Sequence, residues 1–384
     1  MITSRRMRNT TFAALVAMAS LSLVACGSDP AGTAAPGSSS GSGSSASGTD
    51  ASGLTCPTGK LNAEGSTAQG NAITEVIADY QAACDNGVTI EYNPTGSGAG
   101  VKSFYNKLVD FAGSDSALKT VAVDGVVESD KAKERCGGSP AWNIPMVVGP
   151  IAFAYNVDGV DKLTMTAEVL ANIFNGTIKT WDDPAIAKIN PGVTLPSAPI
   201  TVFFRSDESG TTENTTKFLA AAGDGAWTKE PAKAWTGTGE GKNKSSGVAE
   251  AVTGTKNSIS YMEWSYARDN KLPIASLDSG KGAVELSGDS VGKAVSEATV
   301  AGTGHDLALK LNYTPKTSGA YPALLTTYEI VCSTGLEPDK TALEKDFLTF
   351  FSSAEEQQAL QDLGYAPLPA DLLTKVKASV AAIS

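Results

Sequence analysis

Two hydrophobic periods divide residues 54–384 between them. Continuous or alternating apolar runs at 88–92, 144–155, 200–204, 258–262 and 321–331 predict strands. Apolar residues recurring every three or four positions predict helices over 71–83, 166–174, 211–222, 341–351 and 355–363. The alternation argues an α/β architecture with largely parallel sheets, because parallel neighbours need a crossover and a helix is the usual one. The stretch is long enough for two domains, each with its own core, and no internal repeat is visible.

The chain before residue 54 has neither period. Arg5, Arg6 and Arg8 precede an apolar run over 12–25 that is too short to span a bilayer, which predicts an export signal over 1–25. The run ends Leu23-Val24-Ala25-Cys26. This resembles the lipobox of bacterial lipoproteins and implies cleavage before Cys26, a lipid on its sulfur and anchorage to the membrane. Residues 27–53 are almost wholly Gly, Ser, Ala, Thr, Pro and Asp, so 26–53 is expected to be a lipidated cysteine and a flexible linker that cannot bury a core. Acidic residues outnumber basic ones, 41 to 30, which argues against a nucleic-acid partner.

Four cysteines remain, Cys56, Cys84, Cys136 and Cys332, and an even number in an exported chain predicts two disulfides. Three pairings are open. A strand followed by a helix that runs back brings Cys84 near Cys56, which favours Cys56–Cys84 and leaves Cys136–Cys332. With no CxxC pair and a single histidine, His305, no metal site is expected, and nothing calls for a cofactor.

Candidate chemistry lies where predicted strands run into helices. Arg205-Ser-Asp-Glu-Ser-Gly-Thr211 follows the 200–204 run. Ser209 suits a helix N-cap, Gly210 permits close backbone approach, and the first-turn N–H groups have no intrahelical partner. Such a terminus favours anions, and Arg205 adds a planar fork of donors. Taken singly this is also how a capped helix beside a surface arginine would look. The segments 61–70 and 92–102 repeat the form, however, and three such starts point to a small anion wrapped by several loops. Gly96-Ser-Gly-Ala-Gly-Val101 lacks the last glycine of a dinucleotide fingerprint, and Lys102 does not follow a glycine as a P-loop requires.

Four motifs in order, Thr95-Gly-Ser-Gly-Ala-Gly-Val-Lys102, Asp110-Phe-Ala-Gly-Ser-Asp-Ser-Ala-Leu118, the segment from Trp181 to Gly192 and Arg205 to Thr211, resemble the phosphate-binding subunit of bacterial phosphate-specific ABC transporters. The resemblance runs from about Leu61 to Pro369. It implies a two-lobed periplasmic-binding-protein fold of type II, with the ligand in the interlobe cleft and two crossover strands as hinge. Residues 54–150 with 318–384 would form lobe I and residues 151–317 lobe II. It further implies that inorganic phosphate is held by Thr67, the Ala68 amide, Ser97, Asp115, Arg205, Ser209, the Gly210 amide and Thr211, with Asp207 orienting the arginine. Position 68 departs from the family, where phenylalanine is common, but only its amide is used. The permease subunits of an ABC importer would be the protein partners.

Asp115 is the unexpected member, because a carboxylate repels an anion. It fits a ligand that carries a proton, since phosphate near neutral pH can donate a hydrogen bond and sulfate cannot. Two other readings are weighed against the phosphate receptor. Another oxyanion, sulfate or molybdate, would use the same loops. A secreted phosphatase or serine hydrolase would need Ser209 as nucleophile, yet Gly-x-Ser-x-Gly is absent and His305 is the only histidine available as base. No catalytic residue is therefore assigned.

Overall fold

Lys60 and Asn62 face outward and Leu61 and Ala63 inward along Gly59–Gly65, so the first strand has one side to bury, and helix Gly70–Ala83 covers it with Ala72, Ile73, Val76, Ile77 and Tyr80. The architecture comes from a computed structural model that describes residues 53–384 apart from 86 and 335. The export signal over 1–25, Cys26 and the linker up to residue 52 lie outside the described residues. No described helix is long and apolar enough to cross a membrane.

Eight strands form one sheet in the order Val88–Pro94, Gly59–Gly65, Phe111–Ser114, Leu324–Cys332, Ala141–Asn156, Ser258–Glu263, Thr201–Arg205, Glu240–Lys242. Both wings are parallel, as the alternating pattern predicts. The centre is not. Leu324–Cys332 runs antiparallel to both its neighbours, and Ala141–Asn156 runs antiparallel to Ser258–Glu263. The expectation of largely parallel sheets fails there because a strand arriving from the far end of the chain is not bound to a short right-handed crossover.

Ala141–Asn156 is the member shared by both halves. Its residues 141–150 pair with Leu324–Cys332 and its residues 151–156 with Ser258–Glu263. The strand is buried almost throughout, which explains why 144–155 reads as an unbroken apolar run. Its register against Leu324–Cys332 slips between Thr327 and Tyr328, beside Pro145, which has no N–H to give a ladder.

Two aromatic groups fill the halves. Tyr80, Phe111, Phe347 and Phe351 pack together behind the first wing, and Phe153, Phe174, Phe218, Trp235 and Tyr261 behind the second. Both favoured disulfides are present, Cys56–Cys84 and Cys136–Cys332, with Cα atoms 5.3 and 5.5 Å apart. The first ties the start of the chain to the end of the first helix. The second ties helix Glu128–Arg135 to the end of the returning strand, across 196 residues of sequence. Thr166 and Asp183 cap helices Ala167–Phe174 and Pro184–Ile189 by accepting from Val169 N and Ala185 N.

Candidate anion-binding cleft

Four strands, Gly59–Gly65, Val88–Pro94, Thr201–Arg205 and Glu240–Lys242, each run through a short polar loop into a helix, beginning at Gly70, Ser97, Gly210 and Lys244. The first-turn amides of these helices have no intrahelical partner, and the first three starts are buried, while Lys244 is half-buried between exposed Asn243 and buried Ser245. A fifth loop, after Phe111–Ser114, places Asp115 among them.

The loops touch. A Cβ at Gly210 would stand 2.5 Å from Asp115 Cβ and 2.7 Å from Ser97 Oγ, and one at Gly98 would stand 2.3 Å from Glu208 Oε2. The Gly98 amide donates to the Glu208 carbonyl at 3.0 Å, and Lys102 pairs with the Glu208 carboxylate. A side chain at Gly96, Gly98 or Gly210 would meet the opposite wall, whereas one at Gly100 would meet Glu64 and Gly65 of the strand beside it.

Arg205, 2 % exposed, is held on three sides. Its Nε and Nη2 donate to the two oxygens of Asp207, and its Nη1 donates to Ser245 Oγ at 2.9 Å. Burial works against its charge, but the hydrogen bonds and charge of Asp207 outweigh that and raise its pKa. Asp207 answers in kind: burial raises its carboxyl pKa, but the hydrogen bonds and charge of Arg205 outweigh that and lower it. Three of five guanidinium N–H groups are thereby engaged and two are left. Ser245 Oγ also lies 2.8 Å from Thr67 Oγ1. Whichever of the two donates, the other keeps a hydroxyl proton for a ligand.

Asp115 is 3 % exposed and carries three hydroxyl donors: Ser66 and Thr327 (2.7 Å) on Oδ1, and Ser97 (2.9 Å) on Oδ2. Its amide donates to Ser97 Oγ at 3.1 Å. A carboxylate offers about four acceptor positions, so one remains, on Oδ2. Burial pushes its pKa up to about 6, against the pull of the Ser66 and Thr327 hydroxyls and with some help from the Glu263 carboxylate. Asn214 braces the cleft from behind, donating to the Asp115 carbonyl at 2.7 Å and the Gly210 carbonyl at 2.9 Å.

Every residue expected around the anion is buried here, and they form two joined sets. Thr67 meets Arg205 and Asp207 through Ser245. Ser97 and Gly210 meet Asp115, whose partner Ser66 accepts from the Ala68 amide at 3.0 Å. Ser209 caps its helix, accepting from Thr212 N at 3.2 Å, and Thr211 donates to Glu263. The motif from Trp181 to Gly192 is structural. Trp181 is fully buried with its Nε1 donating to Asn257 O, and Asp183 is a cap. Sequence reasoning missed Ser66, Ser245, Thr327 and Asn214. Two of these had a local signal: Ser66 lies within the 61–70 start, and Asn243-Lys-Ser-Ser-Gly247 after a short strand repeats the form of the other three starts.

Residues 37–355 match the PBP superfamily domain. The chain is 42% identical over 329 residues to phosphate-binding protein PstS3 of Mycobacterium bovis, a match covering 84% of this chain and 86% of that one. The identity to phosphate-binding protein PstS 2 of Mycobacterium tuberculosis is also 42%, over 332 residues, 85% of this chain and 87% of that one. The chain belongs to the PstS family of phosphate-binding proteins. Its fold is the two-lobed one of periplasmic binding proteins. A high-affinity periplasmic phosphate-binding protein, PfluDING, solved with phosphate bound, aligns at a TM-score of 0.67 and 23% identity over 83% of this chain and 93% of that one. The phosphate-binding protein of Stenotrophomonas maltophilia aligns at 0.65 and 17% over the same shares. Within this PstS chain the two-lobed fold agrees with what the motifs imply, and the disulfides agree with the pairing that the cysteine positions favour.

The Asp115 carboxyl makes a direct prediction for ligand-free protein. Its folded pKa lies above the ordinary aspartate value. It therefore favours the folded state most below about pH 4, and that contribution is lost as pH rises to about 6. Asp115→Asn removes the titration. Measured by denaturant unfolding, the stability of the variant relative to wild type is expected to rise by roughly 2 kcal/mol between pH 4 and pH 7. A difference independent of pH would mean that Asp115 is not desolvated.

Proposed function

We propose that this chain is an extracytoplasmic receptor that binds inorganic phosphate in the buried cleft and hands it to the permease subunits of an ABC importer, performing no chemistry. The observation that carries the reading is the residual bonding capacity of the cleft. Once the chain has satisfied itself, there remain two N–H groups of Arg205, one hydroxyl proton of the Thr67–Ser245 pair, those first-turn amides that the chain does not already engage as it does Gly70, Gly98, Thr212 and Lys244, and a single acceptor position on Asp115. That is a set of many donors and one acceptor, the complement of a small oxyanion carrying one proton. We assign phosphate contacts to Thr67, the Ala68 amide, Ser97, Asp115, Arg205, Ser209, the Gly210 amide and Thr211, with Asp207 orienting Arg205. The family membership and the phosphate bound to PfluDING support the same ligand.

A hydrolase reading lacks a histidine base for Ser209, whose hydroxyl caps a helix, since the His305 ring lies against Trp142. Residues 54–150 with 318–384 and residues 151–317 are the two lobes we infer. The support is the handover of pairing on the shared strand between Pro150 and Ile151, and the Ile151 amide donating to Ala323 O at 2.9 Å. In the structure the two walls already meet, with Asn214 Nδ2 donating to the Asp115 carbonyl at 2.7 Å and Thr67 Oγ1 2.8 Å from Ser245 Oγ.

We also infer lipid anchorage through Cys26 after removal of residues 1–25. Fractionation should find Cys26→Ala released from the membrane, and unchanged attachment would rule the anchor out.

Calorimetric titration at one pH and ionic strength tests the ligand. Wild type should bind phosphate and show no heat with sulfate, which would set two anionic groups together without a proton between them. A site built around one such hydrogen bond can reject an analogue lacking it by roughly 10⁴ to 10⁵. Asp115→Asn supplies either an acceptor or a donor by rotation, so it should keep most phosphate affinity and gain measurable sulfate binding. A variant that still ignores sulfate would place selectivity elsewhere, and wild type that prefers sulfate or molybdate would replace the ligand.

A further inference from the structure

Behind Asp115, on the strand that supplies Thr327, lies a second carboxyl that the binding reading does not use. Glu329 is fully buried, neither of its oxygens makes a well-formed hydrogen bond, and among the described residues no ion pair reaches it. It stands opposite Gly113 in the antiparallel register. A Cβ at Gly113 would lie 2.3 Å from both Gln69 Nε2 and the Tyr92 hydroxyl, so those two side chains cover the strand at that point. Tyr92 donates to the Ser66 carbonyl at 2.8 Å, and Ser66 donates to Asp115. Glu329 is thus close behind the cleft floor.

The groups that face Glu329 come from several elements. Tyr92 comes from Val88–Pro94, Asp115 from the loop after Phe111–Ser114, and neutral Gln69 from the start of Gly70–Ala83. Glu344 comes from helix Pro338–Phe351, with Arg135, Lys340 and Asp110 beyond it. None is a cation next to Glu329. A carboxylate there would be desolvated without compensation, so the neutral acid is the favoured form. Burial, then the charge of Asp115, push its pKa up to about 8, with the Gln69 amide opposing.

We propose that Glu329 is a positioning residue: neutral behind the cleft, it adds no further negative charge behind Asp115, and its ionisation at alkaline pH weakens binding. The inference rests on the phosphate reading. A bound dianion and an ionised Glu329 repel through a dry interior, where like charges interact far more strongly than in water. By reciprocity, bound phosphate must hold the Glu329 proton more tightly.

The test is phosphate affinity of wild type and Glu329→Gln from pH 7 to pH 9. The amide has the shape of the neutral acid, so the two should agree within about threefold at pH 7. By pH 9 wild type should have lost on the order of tenfold relative to the variant. A purely structural role would shift affinity equally at all pH values, and parallel profiles overturn the proposal. In wild type alone, the side-chain carboxyl ¹³C resonance of Glu329 should titrate at higher pH with phosphate bound than without. An unchanged midpoint overturns the proposal even if Glu329→Gln does not fold. Tight binding with parallel profiles removes this inference only, whereas no phosphate binding by either protein at pH 7 removes the receptor reading and this inference with it.

Discussion

The constraint on which this molecule turns is that a small anion taken out of water must find nearly all its hydrogen bonds in the protein, since each one unmet costs about 1 to 3 kcal/mol. The protein must meet the same demand for its own buried charges before a ligand arrives. Arg205 and Asp115 are both almost wholly buried, and each is satisfied by residues of the chain: the arginine by Asp207 and Ser245, the aspartate by Ser66, Ser97 and Thr327. What remains unspent on those groups defines the ligand. Selectivity then follows from counting lone pairs and protons rather than from net charge. An acidic chain with a carboxylate in its site is therefore no obstacle to binding an anion.

The sheet exists to bring those groups to one place. Parallel wings put strand ends and helix starts side by side, and the antiparallel centre joins the wings through one long strand. Each wing has its own group of packed aromatics, within one apolar core that runs across the shared strand. The disulfides brace the first wing and leave that shared strand unconstrained beyond Pro150.

Much of this was legible in the sequence because the responsible signals are local. Ser209 before Gly210, the glycines from Gly96 to Gly100, and the unbroken apolar run over 144–155 each announce a cap, a close approach or a buried strand without reference to distant residues. The pairings of the missed partners have the opposite property. Thr327 reaches Asp115 across 212 residues and Ser245 reaches Thr67 across 178, and a lone hydroxyl carries no periodicity to betray its target. The antiparallel centre was illegible for a related reason, since the direction of a strand from the far end of the chain is set by topology rather than by the strand's own residues. Glu329 read simply as part of an apolar run, where its burial without a partner could not be seen.

The most direct test is a crystal structure of the protein grown with phosphate. The account predicts one phosphate in the cleft with an oxygen within about 3.2 Å of the free Arg205 N–H groups, others on the amides and hydroxyls of the Thr67, Ser97 and Gly210 helix starts, and one at Asp115 Oδ2. Phosphate seated elsewhere, or in the cleft with Asp115 turned away from it, would contradict the account.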